Sequence, residues 1–488
     1  MQTDYQVGII GAGFGGMIAA LRLKESGRNS FVIFERADEV GGTWRENTYP
    51  GCACDVQSNL YSIASEPNPN WSETYSPQPE IWAYMKGVAD KHRLRDNIRF
   101  NFDVRKAEFV PENGHWKVTD QHGNMVTVRV LIGAIGPLNR PIIPDFEGLK
   151  DFQREQFHSA RWNHHYDLKG KRVAVIGTGA SSIQIVPAIA PIVKDLVVFQ
   201  RTAAWIAPRN NRKNPELQKK LYAAFPALQL ASRNAYYYFN ELIGSGFIGN
   251  EVIHKVSTAV SLQSYKVVKD PVTREKLTPK YKLGCKRVLK SDDYLPTFNR
   301  KNVHLETSGI AHFTKDSIVT KGGTEYKIDA VVFGTGFEVT DFQTGAQLIG
   351  LNGRDIFEYW REKGVAAYHG ITVAHYPNFG LLLGPNTGLG HNSVVDIIES
   401  QMIYLMQYIA AIEKLPANAV LDVKEEVQEQ HNEALQKQFA GTVWSSGCKS
   451  WYMDRNGKNV TLYPRLNTTY RDTVKHFHPE DYSIAEVN

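Results

Sequence analysis

The chain has 488 residues, of which 42% are hydrophobic and 22% charged, with a net charge of +5. This length exceeds what one hydrophobic core supports, so two or three domains are expected. The absence of a Lys/Arg block in the sequence argues against a nucleic-acid partner, and four cysteines exclude a disulfide scaffold and favour a reducing compartment. The N-terminal stretch lacks a secretory-signal pattern and no run of 18 apolar residues follows, which predicts a cytoplasmic protein without stable membrane insertion.

The first motif combines a strand, a glycine-rich turn and a helix. An apolar strand over residues 6–10 leads into GAGFGG at 11–16 and a helical pattern over 17–24. Such glycines permit a tight turn and bring backbone N–H groups close to a pyrophosphate at the positive end of a helix. The next strand, 31–34, ends in Glu35, where a ribose hydroxyl needs an acceptor. The unit predicts a bound dinucleotide, and the alternative is a glycine turn without a ligand.

The stretch GGTWRENTYPGCACD, residues 41–55, holds too many turn residues for a regular helix or strand and is predicted to be a shaped loop. It ends in one carboxylate, Asp55. We expect the rest of the chain to bring two nucleotides and one arginine to this loop. Cys52 and Cys54 raise the alternative of a disulfide reductase, but with one residue between them an unstrained disulfide is difficult.

A helix is predicted over residues 79–92, followed by antiparallel strands over 100–104, 115–119 and 125–132 with Asn-Gly and His-Gly turns. The last strand ends abruptly at the glycines and proline of residues 133–137. A strand that ends at glycine and proline in this way is typical of a crossing segment, in which the chain passes from one domain to another.

The strand–glycine–helix theme then repeats. A strand over 172–176 leads into GTGASS at 177–182, with Ser182 where the third glycine would be, and a strand over 196–199 follows. Counting 24 residues from the first glycine of each unit gives Glu35 in one and Arg201 in the other. A guanidinium holds a 2′-phosphate that a carboxylate would repel, so the first unit is predicted to bind FAD and the second NADP. A surface arginine without a ligand is the alternative for Arg201.

Residues 212–282 show no strand alternation and are predicted to be a mostly helical insertion. Within it the aromatic run 235–247 could touch a membrane, but Asn240 and Glu241 interrupt it and favour a buried or substrate-facing helix. Strands over 303–306 and 329–333 follow, and a second Gly-rich crossing at 334–337 indicates that the second domain is nested in the first.

The last third returns to the first domain. A strand over 379–383 leads through a glycine-rich turn into a helix over 394–414, whose free N–H groups suit the electron-rich edge of a flavin. The compact aromatic segment 444–452 is expected to pack. The predicted fold is thus α/β, with two Rossmann-like dinucleotide-binding domains, the NADP domain nested in the FAD domain, and a helical insertion. The expected boundaries are 1–145 and 339–488 for FAD, 152–210 and 285–338 for NADP, and 211–284 for the insertion.

The two dinucleotide units and the 41–55 loop together resemble the type I Baeyer–Villiger monooxygenases. The family's loop pattern is met at Gly42, Trp44, Tyr49, Pro50, Gly51 and Asp55. Its second signature is matched by Phe152, His158 and Trp162, whereas Arg154 and Asn163 depart from it. Trp162 favours this branch over the N- and S-oxidising flavin monooxygenases.

The resemblance implies the following chemistry. NADPH reduces FAD, O2 adds to the reduced ring, and an anionic peroxide attacks the carbonyl carbon of a ketone to give an ester or lactone. Catalytic roles fall on Arg287, whose permanent charge stabilises the anion, and on Asp55, which orients Arg287. A protonated peroxide would instead oxidise sulfur or nitrogen, so the resemblance implies sulfoxidation of a thioether as an expected side activity.

The implied cofactor-binding residues are Gly11, Gly13, Phe14, Gly15, Gly16, Glu35, Arg36, Thr43, Trp44, Asp55, Tyr61, Val104, Gly177, Thr178, Gly179, Ser181, Ser182, Arg201, Thr202, Lys286 and Asn386. No metal site is expected, because the histidines show no ligand spacing. Three alternatives stay open: an N- or S-oxidising monooxygenase, a non-oxygenating NADP-binding redox sensor, and a purely structural Asp55–Arg287 pair.

Overall fold

A computed structural model describes residues 3–339 and 345–486. Its strands are Tyr5–Ile10 (β1), Phe31–Phe34 (β2), Ile98–Arg99 (β3), Val104–Val110 (β4), His115–Asp120 (β5), Met125–Gly133 (β6), Glu155–His158 (β7), Arg172–Ile176 (β8), Asp195–Phe199 (β9), Ile206–Ala207 (β10), Leu289–Lys290 (β11), Val303–Glu306 (β12), Ile310–Phe313 (β13), Ser317–Thr320 (β14), Glu325–Lys327 (β15), Ala330–Phe333 (β16), Gln347–Ile349 (β17), Phe379–Leu381 (β18), Ala419–Val423 (β19) and Tyr482–Glu486 (β20). Its α-helices are Phe14–Glu25 (α1), Thr43–Glu46 (α2), Gln78–Lys91 (α3), Ser182–Ile189 (α4), Glu216–Ala224 (α5), Pro226–Ser245 (α6), Glu251–Tyr265 (α7), Pro271–Leu277 (α8), Tyr294–Thr297 (α9), Ile356–Lys363 (α10), Val394–Glu413 (α11), Glu425–Lys437 (α12) and Asn467–Thr473 (α13).

The larger sheet joins a parallel half to an antiparallel half. Strands β3, β2, β1, β6 and β18 run parallel, and β6 continues into an antiparallel meander with β5 and β4, beside which β17 pairs. Strand β2 is buried along its whole length, because parallel strands are covered on both faces. Helix α1 leaves this sheet at the glycine turn and packs against α11.

The second sheet repeats the parallel half. Its order is β12, β9, β8, β16, β7, all parallel, so β8, β9, β12 and β16 occupy the places that β1, β2, β3 and β6 hold in the first sheet. An antiparallel meander of β13, β14 and β15 precedes β16, as β4 and β5 precede β6. The predicted internal repeat and α/β fold class are therefore confirmed.

The two crossing segments lie side by side. Pro141 and Phe337 form an antiparallel bridge, flanked by hydrogen bonds from the Ile142 N–H to the Gly336 carbonyl and from the Glu338 N–H to the Arg140 carbonyl. The chain therefore enters and leaves the second sheet through two adjacent segments, as expected for one domain inserted into another.

Two predicted elements are corrected. The strand expected over residues 100–104 is absent, since Asn101 has a φ of +57° and breaks the extended chain, leaving β3 before it and β4 after it. The run 235–247 forms most of α6, but Tyr238 and Phe239 are exposed while Asn240 and Glu241 are buried. No helix among the described residues is long and apolar enough to cross a membrane.

Asp422 on β19 makes the stability of the fold depend on pH. Burial raises the pKa of its carboxyl from the ordinary 3.8 to about 7, although Oδ2 accepts the His375 N–H at 2.9 Å. The folded chain therefore holds a proton that the unfolded chain releases, so the stabilisation is complete below pH 3.8 and is lost as the pH rises to about 7.

Asp422→Asn is therefore expected to gain about 2 kcal/mol of unfolding free energy at pH 8 and little at pH 4, because the amide keeps the acceptor oxygen without the charge. Denaturant unfolding at both pH values measures this, with the exposed Asp145→Asn as control. Equal effects at both pH values would contradict the assignment.

Candidate active site

The first glycine turn is shaped so that only glycine fits its opening position. Gly11 has a φ of +100°, and a Cβ there would lie 2.7 Å from the carbonyl oxygen of Ala134 at the end of β6. Gly13 faces the backbone of Gly42, and the Gly41 N–H donates to the Ala12 carbonyl at 3.0 Å. The start of the 41–55 loop therefore lies directly on the glycine turn.

Glu35 closes the same turn at the end of β2. Its buried carboxylate accepts the N–H groups of Ala12 at 2.8 Å and Ala37 at 3.0 Å, and pairs with Arg45 at 3.0 Å. A carboxylate offers about four acceptor positions. One remains for a hydroxyl, as a ribose at this turn would require.

Three aromatic rings connect the turn to the loop. Tyr61 packs edge-on against Phe14 at 5.3 Å and against Trp44 at 5.6 Å between ring centroids. The Trp44 indole N–H also donates to the Tyr61 hydroxyl at 3.1 Å. Thr43 and Trp44 begin the short helix α2, so the predicted residues of this part of the loop form one cluster.

The second half of the loop is held by the second dinucleotide unit. Gln184 on α4 accepts the Tyr49 hydroxyl at 3.0 Å, and its amide group donates to the Ala53 carbonyl at 2.9 Å. Gly51 has a φ of +81°, and a Cβ there would lie 2.7 Å from the Gln184 carbonyl oxygen. Gln184 was not predicted, because its position after a glycine motif indicates a helix but no partner.

Asp55 and Arg287 form an ion pair, with 2.6 Å between Oδ2 and Nη2, although 232 residues separate them. Desolvation opposes the Asp55 charge, but Arg287 and Lys290 outweigh it and lower the pKa of Asp55. Asp55 in turn raises the pKa of Arg287. The Arg287 side chain is 37% exposed, so a ligand can reach the pair.

Arg209 and Lys290 extend this positive environment, and neither was predicted. Arg209 donates from Nη2 to the Cys54 carbonyl at 2.8 Å, and both cations lie against the Tyr75 ring. A cavity of about 420 Å³ opens beside them and is also lined by Gly51 of the loop.

The second glycine turn repeats the construction of the first. Gly177 has a φ of +108°, and a Cβ there would lie 2.4 Å from the carbonyl oxygen of Gly334 at the end of β16. Ser182 Oγ donates to the same carbonyl at 3.5 Å. The small serine side chain therefore fits at the position where the first turn has its third glycine. Gly179 and Ser181 complete the turn, which leads into α4.

Two cations, Arg201 and Lys286, lie near this turn. Burial first and the neighbouring Arg201 second lower the pKa of Lys286. Lys286 Nζ lies 5.2 Å from the Tyr281 ring centroid, and Thr178 donates to the Thr202 carbonyl at 3.0 Å. Among the residues that the structure describes, neither Arg201 nor Lys286 has a salt bridge. The cluster fits a bound phosphate group.

Three further predicted cofactor residues are Asn386, Arg36 and Val104. Asn386 is buried, and its side-chain amide donates to the carbonyls of Asn459 and Leu462 at 2.7 and 2.9 Å. Arg36 pairs with Glu46, and Val104 begins β4 with a buried side chain. For these residues the cofactor role stays a prediction.

The cysteines fall into two pairs with different states. Cys52 and Cys54 are free and buried, and burial raises the pKa of Cys52 to about 12, which argues against a redox-active dithiol. Cys285 and Cys448 form a disulfide with 6.2 Å between their Cα atoms. This bond, which the sequence analysis did not predict, ties the segment of Arg287 to the predicted packing segment 444–452.

The second signature covers residues 152–163 and has β7 near its middle. Phe152 packs against Phe313, Trp162 packs edge-on against Phe157 at 4.9 Å, and burial lowers the pKa of His158 to about 4. Of the two departures, Arg154 is half-exposed and Asn163 donates to Glu155 at 2.8 Å. Asn163 thus has its partner on β7, whereas Arg154 lies 4.0 Å from Asp316, between β13 and β14.

Comparisons with known proteins agree with this geometry. The family model of flavin-binding monooxygenase-like proteins matches residues 4–455. The chain is 42% identical over 481 residues to a Baeyer–Villiger monooxygenase of Streptomyces coelicolor, covering 98% of this chain and 92% of that protein. It superimposes with a TM-score of 0.87 on OTEMO in complex with FAD and NADP, at 27% identity, covering 99% of this chain and 100% of that one. Cyclohexanone monooxygenase from Rhodococcus sp. Phi1 bound to NADP+ also gives 0.87, at 26% identity and full coverage of both chains.

Proposed function

The chain belongs to the flavin-binding monooxygenase-like family, and on this premise we propose that it inserts one oxygen atom from O2 next to the carbonyl of a small-molecule ketone, giving an ester or lactone. The enzyme class is an FAD-dependent monooxygenase of the Baeyer–Villiger type that uses NADPH. The observation that carries the proposal is the accessible ion pair between Arg287 and Asp55, which ends a loop that contacts the first glycine turn and helix α4 of the second dinucleotide unit.

The residues present fit both cofactors. Glu35 and the Gly11 turn would hold the ribose and pyrophosphate of FAD, while Arg201, Thr202 and Lys286 would hold the 2′-phosphate of NADPH. When bound, the two cofactors supply the electrons and the oxygen-activating chemistry. The distribution of charge favours FAD at the first turn and NADPH at the second, because a carboxylate at the position of Arg201 would repel the 2′-phosphate of NADPH.

Arg287 is the residue that favours transfer to a carbonyl carbon. Its guanidinium stays protonated at any physiological pH, so it stabilises negative charge on oxygen both before and after attack on the ketone. Asp55 fixes one side of the guanidinium through Nη2, and within residues 3–339 and 345–486 no other hydrogen bond from the Arg287 side chain is seen, so its remaining N–H groups can donate to a ligand. Gln184 keeps the loop that carries Asp55 in register with the second domain.

A screen of linear, cyclic and aryl ketones beside thioethers tests the proposal. Addition of a ketone substrate is expected to accelerate NADPH consumption in air and to yield a product heavier by one oxygen atom, identified by mass spectrometry. Oxygenation confined to thioethers or amines would indicate the N- or S-oxidising branch. Binding of both cofactors with no oxygenated product from any compound would indicate a redox sensor.

A further inference from the structure

Helix α6 has its polar face inside and its apolar face outside. The residues that it buries are Gln229, Arg233, Tyr237, Asn240, Glu241 and Gly244. The residues that it exposes include Leu228, Ala231, Ala235, Tyr238, Phe239 and Leu242. Tyr238 is 63% exposed, Phe239 56% and Leu242 51%. Surface helices of soluble domains have the opposite arrangement, so the outward face needs an explanation.

The two buried charges of α6, Arg233 and Glu241, both have partners, which fixes the orientation of the helix. Arg233 donates to the Ser62 carbonyl at 2.7 Å and pairs with Glu399 at 3.1 Å. Glu241 accepts from Asn392 at 2.7 Å and from the Thr468 N–H at 2.9 Å. Rotating α6 to bury its aromatic side chains would separate Arg233 and Glu241 from these partners, so the apolar face stays outward.

The neighbouring helices also expose apolar side chains. Helices α5 and α7 both pack against α6. Helix α5 buries none of its residues, and Leu217, Leu221 and the following Phe225 recur every four residues, with 69%, 40% and 58% exposure. On α7, Val252 and Val256 are 70% and 56% exposed at the same spacing. The three helices thus present apolar stripes at helical period on one insertion.

The charge of the insertion indicates what covers these stripes. Residues 211–284 contain twelve Lys and Arg against five Asp and Glu, a net charge of +7, whereas the whole chain carries +5. Lys220 on α5 is exposed, as are Lys266 and Lys269 directly after α7, whereas Lys219 and Lys255 pair with Glu216 and Glu251. A second copy of the same positive surface would be repelled, while exposed apolar residues among lysines match an anionic lipid surface.

We propose that the insertion of helices α5, α6 and α7 docks on an anionic lipid bilayer, with the apolar stripes in the headgroup boundary and the lysines on lipid phosphates. The polar face of α6 contacts residues 57–68, and Asn240 donates to Gln57 at 3.1 Å, two residues beyond Asp55. Docking would therefore bring the candidate active site close to the bilayer, into which apolar ketones partition. Only this last consequence rests on the proposed function; lipid binding does not.

Flotation of the holoenzyme with vesicles tests the docking directly. The wild type is expected to float with vesicles of phosphatidylcholine and phosphatidylglycerol, to remain free with phosphatidylcholine alone, and to be released by salt. The triple variant Tyr238→Ser, Phe239→Ser, Leu242→Ser is expected to lose at least about tenfold of this partitioning, because it removes the deepest apolar contacts.

A matched control removes equally exposed apolar side chains elsewhere. The variant Met125→Ser, Ile484→Ser, whose native side chains are 63% and 61% exposed on β6 and β20, is expected to float like the wild type. Bound flavin and the melting temperature of each variant establish that it is folded. Failure of the wild type to float with anionic vesicles, or undiminished flotation of the triple variant, would overturn the proposal. So would light scattering that shows a dimer which the triple variant dissociates.

Discussion

Arg287→Ala is expected to continue oxidising NADPH while ester formation falls by about two to three orders of magnitude, the usual cost of removing one charge-stabilising donor. Arg287 is paired with Asp55 and lies beside the glycine-turn loop, whereas the cation cluster at the second turn is formed by other side chains. The substitution therefore removes the stabilisation of negative charge on oxygen and leaves the turns that would bind the cofactors. NADPH consumption and ester yield are measured in the same reaction.

Two companion variants separate charge from geometry. Arg287→Lys keeps a positive charge but loses the planar fork, and recovery of part of the ester yield is expected. Asp55→Asn keeps an acceptor near Nη2 and is expected to reduce the yield by about tenfold, since Arg287 loses a charged partner but not its own charge. An ester yield near the wild-type value in Arg287→Ala would show that Asp55 and Arg287 form only a structural ion pair.

The double variant Arg201→Gln, Lys286→Gln is expected to raise the KM for NADPH by about 100-fold, since two charge-assisted bonds to a phosphate contribute about 3 kcal/mol or more. The KM for NADH should stay near its wild-type value, because NADH lacks the 2′-phosphate. Steady-state kinetics with both nucleotides measure the ratio.

The control for this prediction is Lys282→Gln, which removes an exposed lysine of the same region. It is expected to leave the preference for NADPH unchanged. A parallel rise of both KM values in the double variant would show that the cluster supports the fold of the second domain rather than a phosphate.

Local patterns explain why much of the fold was predictable. Glycines with positive φ at Gly11 and Gly177 are required by turns that any other residue would obstruct, and the apolar runs of β1, β2 and β8 are buried on both faces. The equal spacing from first glycine to Glu35 and to Arg201 reflects a duplicated unit, which the two sheets confirm. The roles of these two residues in binding cofactors stay predictions.

Contacts between distant segments could not be predicted in this way. The disulfide of Cys285 and Cys448 joins residues 163 positions apart, and Gln184 supports the loop from another domain. The orientation of α6 could not be predicted for a related reason. Its sequence contains an apolar and a polar face, but only the tertiary partners Ser62 and Glu399 determine which one is covered.

The most direct test supplies isotopically labelled O2 to the wild type and to Arg287→Ala with a ketone found in the screen. The proposed function predicts one labelled oxygen atom in each ester molecule formed by the wild type, and almost no labelled ester from the variant despite continued NADPH consumption. NADPH consumption by the wild type without labelled ester would contradict ketone oxygenation. Labelled ester from Arg287→Ala at the wild-type yield would contradict the role proposed for the Asp55–Arg287 pair.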